Sequence, residues 1–146
     1  MATLTEFLRN QKAADDPERR TQRQKAWLSA LDKLFQKIRS WLAEAEREKL
    51  IKVRIEKVNH TEESLGTFKV PRLSLTVDHK IIILKPIGAT IIGADGRVDM
   101  VSTKGTYLFL YLADQDKWVH GSGITPSEFQ ELTEKIFTDL LKRALA

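Results

Sequence analysis

The sequence predicts an α+β fold: a long N-terminal helix, an antiparallel meander of six or seven strands, and a capped C-terminal helix. Three observations favour this fold. Apolar residues recur at helical spacing before about residue 50, alternate with polar residues from about 51 to 120, and return to helical spacing afterwards. The predicted strands are joined by turns of a few residues, and such short turns join only antiparallel neighbours. An order of helix, strands and helix is typical of α+β proteins.

The composition is that of one globular domain. The 146 residues are 42% apolar and 30% charged, and the net charge is +4. The absence of cysteine excludes disulfides, thiolate metal sites and thiol nucleophiles. No apolar run reaches the length of a signal peptide core or a spanning helix. We therefore expect a cytoplasmic protein that does not bind membranes.

Residues 1–16 are predicted to be a flexible or weakly helical segment, and residues 17–146 a single domain. Within the segment, a capping-box pattern precedes Phe7 and Leu8, which predicts a short helix that is either frayed or docked through these two side chains.

A long helix is predicted from about Pro17 to Lys49. Asp16 before Pro17 is a strong start signal, because Asp accepts hydrogen bonds from free N–H groups and proline is tolerated at the first helical position. Apolar residues recur along the helix at intervals of three and four and form a seam. Two interpretations remain open: the seam covers the sheet, or it pairs with a partner helix. The seam contains Trp27, Leu31, Leu34, Ile38 and Trp41.

The predicted strands begin at Ile51 with a regular alternation of apolar and polar residues. A polar loop is predicted from Asn59 to Gly66. The alternation changes parity around Pro71, which predicts a bulge or an edge position. Two runs, Lys80–Lys85 and Thr106–Leu112, are too apolar to have one face in water and are predicted to be central strands.

Turn and cap signals complete the fold. Asp95 and Gly96 predict a hairpin between apolar runs at Thr90–Ile92 and Arg97–Val101. A capping box with proline at the first helical position, Thr125–Glu128, predicts a final helix that ends near Ala144. An open meander flanked by the helices and a curled barrel closed by the last helix both fit these elements, and we favour the open sheet.

Reactive groups in the sequence do not converge on an active site. His60, His79 and His120 are far apart in sequence, and none has the spacing of a helical zinc site. The glycines near residue 90 flank a predicted hairpin, whereas a phosphate-binding loop joins a strand to a helix. No serine stands in the Gly-x-Ser-x-Gly frame. We therefore predict a protein without enzymatic activity, metal or cofactor.

The predicted function is that of an interaction, accessory or regulatory domain. The seam residues Trp27, Leu31, Leu34, Ile38 and Trp41 are the predicted contact with a protein partner or a second copy.

Two alternatives rest on other residues. A nucleic-acid-binding accessory protein would use the basic start of the long helix, although acidic neighbours offset its charge. A small-ligand-binding domain or enzyme would use the interior of a curled sheet. A polar and aromatic surface patch on the late strands is a further candidate, unless Trp118 lies in the core. The basic residues are Arg19, Arg20, Arg23 and Lys25, and the patch residues are Arg97, Asp99, Trp118 and His120.

Overall fold

The structure is a computed structural model that describes residues 3–14, 16–89, 94–121 and 129–146. Within these ranges, three helices precede the strands and one follows them. The elements are α1 (Leu4–Ala14), α2 (Pro17–Trp41), α3 (Ala43–Arg47), β1 (Lys52–Glu62), β2 (Gly66–Val77), β3 (Lys80–Gly88), β4 (Gly96–Ser102), β5 (Gly105–Leu112), β6 (Lys117–His120), β7 (Gln130–Glu131) and α4 (Glu134–Leu145).

The seven strands form one antiparallel meander in which each strand pairs with the next along the chain. Among the described residues β1 and β7 do not pair with each other, so the sheet is open rather than a closed barrel. The predicted α+β fold, with its long N-terminal helix, seven-stranded sheet and capped C-terminal helix, is confirmed.

The long helix begins as predicted and ends earlier than predicted. Asp16 caps α2 by accepting a hydrogen bond from the backbone N–H of Glu18 at 2.9 Å, and Pro17 is the first helical residue. The helix stops at Trp41 instead of near Lys49. Leu42, with φ −98° and ψ 1°, interrupts it before the short α3. Leu42 is itself buried, so the helical spacing of apolar residues continues across the break. The sequence pattern therefore does not indicate where α2 ends.

Both α2 and α4 pack on the same face of the sheet, and one core lies beneath them. The side chains of Trp41 on α2 and Phe137 on α4 meet with ring centroids 5.6 Å apart. From Leu73 of β2 to β5 the core-facing positions follow the period of two that a half-covered sheet requires. Below the helices the main strand contributions are Leu73, Leu75, Ile82, Leu84, Val98, Met100 and Phe109.

The hairpin of β1 and β2 is longer than predicted and has no loop at Asn59. Its strands pair continuously from Lys52 to Glu62, and only residues 63–65 turn. Pairing of β2 with β3 begins at Leu73, so Pro71 lies on a stretch of β2 that has a partner on one side only. The predicted edge position is therefore confirmed, and the unbroken register excludes the bulge.

The last helix starts later than predicted. Gln130 and Glu131 form β7 at the sheet edge, so a helix running through them is wrong. Ladder hydrogen bonds to β6 hold this stretch extended, and the cap of α4 is Thr133, whose hydroxyl accepts a hydrogen bond from the N–H of Ile136 at 3.3 Å. The predicted cap at Thr125–Glu128 lies outside the described residues.

The structure also differs from the predicted hairpin at Asp95 and Gly96, because Gly96 is the first residue of a strand. β3 continues beyond Pro86 to Gly88, with a register shift between these two residues, and pairs directly with β4, which starts at Gly96. The predicted strand at Thr90–Ile92 lies outside the described residues.

Replacing Gly96 with alanine tests the packing of α2 on the sheet. A Cβ at this position would overlap Cζ3 of Trp27 and lie 2.8 Å from its Cη2, so the indole ring or the backbone must move. We expect Gly96→Ala to lower the free energy of unfolding by about 1–3 kcal/mol, measured by urea denaturation.

Gly105→Ala is the matched control. No atom lies within 4 Å of its Cβ position, but its φ of 149° disfavours a side chain. We expect this change to cost about 1–3 kcal/mol, and all of that cost comes from backbone strain rather than from a steric clash. No positive φ opposes a side chain at Gly96, so a Gly96→Ala variant as stable as the wild type would contradict the close contact with Trp27.

Candidate functional site

The five seam residues predicted to bind a partner lie against the sheet of the same chain. Trp27, Leu31, Leu34 and Ile38 are buried, and Trp41 is half-buried beside α4. Of the two interpretations of the seam, covering the sheet is the arrangement found in the structure. Pairing with a second helix through the seam would require these side chains to leave the core, so a partner of the folded chain must contact another surface.

The predicted polar patch is divided between the two faces of the sheet. Arg97 and Asp99 lie on the face that no described helix covers, where Arg97 Nε donates to Asp99 Oδ1 at 2.8 Å. Trp118 and His120 lie on the face that α2 covers, because the register pairs them with core-facing residues of β5. Trp118 is buried, and its indole N–H donates to the carbonyl oxygen of Ala30 at 3.1 Å.

The basic start of α2 is partly engaged with the tip of the first hairpin. Arg23 donates from Nη2 to the carbonyl oxygen of Ser64 at 3.1 Å, and Arg20 is half-buried. Arg19 and Lys25 are exposed. Binding of nucleic acid by these four residues stays a prediction.

His60 lies within β1 and helps to fix the hairpin tip, in contrast to its predicted place in a loop. His60 Nε2 lies 3.0 Å from Glu62 Oε2, and Glu62 Oε1 accepts a hydrogen bond from the backbone N–H of Ala89 at 2.8 Å. On the other side of the tip, Gln24 Nε2 donates to the carbonyl oxygen of Leu65 at 2.5 Å. The tip is therefore held between α2 and the end of β3.

A cavity of about 240 Å³ lies between α2, the hairpin tip and the start of β4. Two aromatic residues, Trp27 and Tyr111, and two residues of opposite charge, Arg23 and Asp95, contribute to its lining. Asp95 is fixed by accepting a hydrogen bond from the backbone N–H of Ala113 at 2.8 Å. The sequence predicts a strand at Tyr111 and a turn at Asp95, and the proximity of these residues to α2 arises only from the tertiary packing.

A polar network joins α2 to the turn between β5 and β6. Tyr111 Oη donates to Asp116 Oδ1 at 2.6 Å, and Lys33 Nζ lies 2.8 Å from Asp116 Oδ2. The hydrogen bond to Asp116, together with burial and nearby carboxylates, raises the pKa of Tyr111 to about 12. The hydrogen bonds from Lys33 and Tyr111 lower the pKa of Asp116.

Helix α1 carries an exposed apolar stripe. Leu4, Phe7 and Leu8 lie at positions i, i+3 and i+4, which places them on one face of the helix. Their exposed fractions are 72%, 53% and 53%. These three residues are half of the six large apolar side chains exposed in the described part of the chain, so α1 is its most exposed apolar element.

The face of the sheet opposite α2 also presents apolar side chains, and no described helix covers it. Strand alternation and register place six of them together on three adjacent strands. Ile81 is 57% exposed, and the other five are half-buried. We call this surface the open sheet face, and it consists of Ile81, Ile83, Val101, Leu108, Leu110 and Leu112.

Known proteins and recurrent site types do not identify a function. In the described ranges, no three His, Asp or Glu side chains are grouped so that they could hold a metal ion. No helix within those ranges combines the length with the apolar character that crossing a membrane requires. Comparison with protein-family models, with curated proteins and with solved structures finds no match for this chain. Function is therefore inferred from the exposed surfaces alone.

Alkaline titration tests the network around Tyr111. A pKa raised from 10.0 to about 12 means that the stabilisation is complete below about pH 10 and is lost as the pH rises through 12. We expect the ultraviolet absorbance of tyrosinate to show one tyrosine titrating near pH 12, and Asp116→Asn to move it toward 10. The titration near pH 12 is assigned to Tyr111 if it is absent from Tyr111→Phe. A titration midpoint that Asp116→Asn leaves unchanged would contradict the hydrogen bond between Tyr111 and Asp116.

Proposed function

We propose that this chain is a non-enzymatic interaction domain that self-associates, with α1 of one copy packed on the open sheet face of a second copy. The exposure of Leu4, Phe7 and Leu8 is the observation that carries this proposal. A helix with an apolar stripe gains stability when that stripe packs on another apolar layer, and burial of each such side chain contributes roughly 1.5–3 kcal/mol.

The dimensions of the two surfaces are compatible. Helix α1 has 11 residues, and at 1.5 Å per residue it is about 16 Å long. The open sheet face spans β3, β4 and β5, and strands lie about 4.8 Å apart. One α1 helix therefore matches the width of this surface.

The short link after α1 favours a second copy over the chain's own sheet. The helix ends at Ala14, and α2 begins at Pro17. Three peptide steps span at most about 11 Å. Packed layers lie about 10 Å apart, so α1 on the open sheet face would lie about 20 Å from α2, on the other side of the sheet. The link is too short for that path.

A dimer in which each copy packs its α1 on the open sheet face of the other also accounts for a partner that is a second copy of this chain. Each copy carries both an α1 stripe and an open sheet face, so a two-fold dimer buries two helix contacts for one loss of translational and rotational freedom. A single unrelated partner would cover one surface and leave the other exposed.

Solution mass tests this proposal directly. We expect light scattering on the full chain to give the mass of a dimer over a concentration series, and Phe7→Asp to give a monomer with an unchanged circular dichroism spectrum of the sheet. Asn10→Asp is the control, because it introduces the same charge into α1 without altering the apolar stripe.

Ile81→Lys tests the other half of the contact. We expect it to shift the equilibrium toward monomer, whereas His79→Lys in the neighbouring exposed turn leaves the mass unchanged. A wild-type monomer at high concentration, or a dimer that persists in both Phe7→Asp and Ile81→Lys, would refute the proposal.

A further inference from the structure

The two edge strands of the sheet differ greatly in length. At one edge, β7 consists of Gln130 and Glu131. At the other edge, β1 has 11 residues, and among the described residues β2 is the one strand that pairs with it. A long free edge presents a row of unpaired N–H and C=O groups that another strand can bind, so proteins commonly keep such edges short or cover them. The outer edge of β1 is therefore the larger of the two surfaces on which a further strand can pair.

The backbone of β1 offers hydrogen bonds along this edge. In an antiparallel pair, the N–H and C=O groups of every second residue point to the partner strand, and those of the residues between point away. The unbroken register with β2 uses the first set. From Lys52 to Lys57 the second set has no backbone partner in the described part of the chain. This stretch is separate from the hairpin tip, where Glu62 accepts a hydrogen bond from Ala89.

The exposed charges along the same stretch are basic. Lys52, Arg54 and Lys57 are exposed, and neither lysine forms an ion pair with a described residue. Glu56 is the one carboxylate of the stretch. Its Oε1 lies 2.9 Å from Arg54 Nε, and its Oε2 lies 3.3 Å from Arg72 Nη2. Because two guanidinium groups already share this carboxylate, the outer edge from Lys52 to Lys57 carries a net positive charge.

This charge selects between the strands that can pair with β1. Pairing with β1 of a second copy would place the basic side chains of the two copies beside one another, and like charges on neighbouring strands are destabilising. Glu56 does not offset them, since Arg54 and Arg72 occupy it. An acidic strand places opposite charges at the same positions, which is stabilising. The lysines therefore oppose self-pairing of this edge and favour an acidic partner.

We propose that the outer edge of β1 binds an extended acidic segment of a partner protein as an additional antiparallel strand. Backbone hydrogen bonds to Lys52–Lys57 provide affinity, and carboxylates opposite Lys52, Arg54 and Lys57 provide selectivity. An antiparallel partner meets Lys57 first, then Arg54 and then Lys52, so its sequence pattern is Glu-x-x-Glu-x-Glu. The edge is separate from α1 and from the open sheet face, and the proposal does not depend on self-association.

The probe is the acetylated and amidated peptide Thr-Glu-Val-Thr-Glu-Val-Glu-Thr, which carries glutamates at this spacing. The readout is amide hydrogen exchange of the full chain. We expect saturating peptide to slow exchange at alternate residues between Lys52 and Lys57, those whose N–H groups point away from β2. The same protection in Phe7→Asp would show that binding is independent of α1. No protection of β1 at millimolar peptide, or equal protection on all exposed strands, would overturn the proposal.

Backbone methylation of the peptide tests whether it binds as a strand. The N–H groups of alternate residues in an added strand point to β1, and the remaining ones point to solvent. One version of the peptide is N-methylated at odd positions and a second version at even positions. We expect one version to lose binding and the other to retain it. Loss in both versions, or retention in both, would contradict strand addition.

The reversed peptide Thr-Glu-Val-Glu-Thr-Val-Glu-Thr tests the direction of the added strand. It has the same composition and charge, but in an antiparallel strand its glutamates cannot all lie opposite Lys52, Arg54 and Lys57. We expect it to bind more weakly than the probe. Equal affinity of the two peptides would overturn the proposed antiparallel register.

Charge reversal on β1 tests the selectivity. We expect Lys52→Glu and Lys57→Glu each to weaken binding of the probe by roughly threefold or more, because an attractive pair becomes a repulsive one. Lys104→Glu, in the exposed turn after β4, is the control with the same change in net charge. An equal loss in Lys104→Glu would reduce the effect to net charge and overturn the proposal. A changed solution mass in Lys57→Glu would assign this edge to a second copy and also overturn it.

Discussion

The packing of the apolar face of α2 on the sheet is the interaction on which the rest of this structure depends. Leu31, Leu34 and Ile38 exclude water from the centre of the sheet, and Trp27 reaches the backbone at Gly96. This packing removes the seam from the surface available to partners. It also brings the start of α2 to the tip of the first hairpin and leaves the indole N–H of Trp27 without an acceptor among the described residues.

Helix-cap residues and apolar runs correctly predicted the elements that depend on residues close together in the sequence. The Asp16 and Pro17 pair fixed the start of α2, and unbroken apolar runs identified β3 and β5 as interior strands. The errors arose where tertiary contacts override local preference. Hydrogen bonds between strands keep β1 extended through His60, and pairing with β6 holds Gln130 extended ahead of α4. Neither ladder can be read from the spacing of residues within one segment.

The candidate sites were harder to predict, because they depend on which face of a strand each residue occupies and on what covers that face. Arg97 and Trp118 are both on late strands, yet register places them on opposite sides of the sheet. Phe7 and Leu8 were recognised as apolar residues of a short helix, and their exposure became visible only in the structure. The cavity combines residues from α2, the hairpin tip and the turn before β4, a set that no sequence motif links.

Amide hydrogen exchange tests most directly whether α2 belongs to the same cooperative core as the sheet. If it does, the amides of Leu31, Leu34 and Ile38 exchange only through global unfolding, with the same opening free energy as those of Leu84 and Met100 in the central strands. Rapid exchange along α2 while β3 and β4 remain protected would contradict this account. It would show that the helix detaches from the sheet and that its apolar seam is available to a partner.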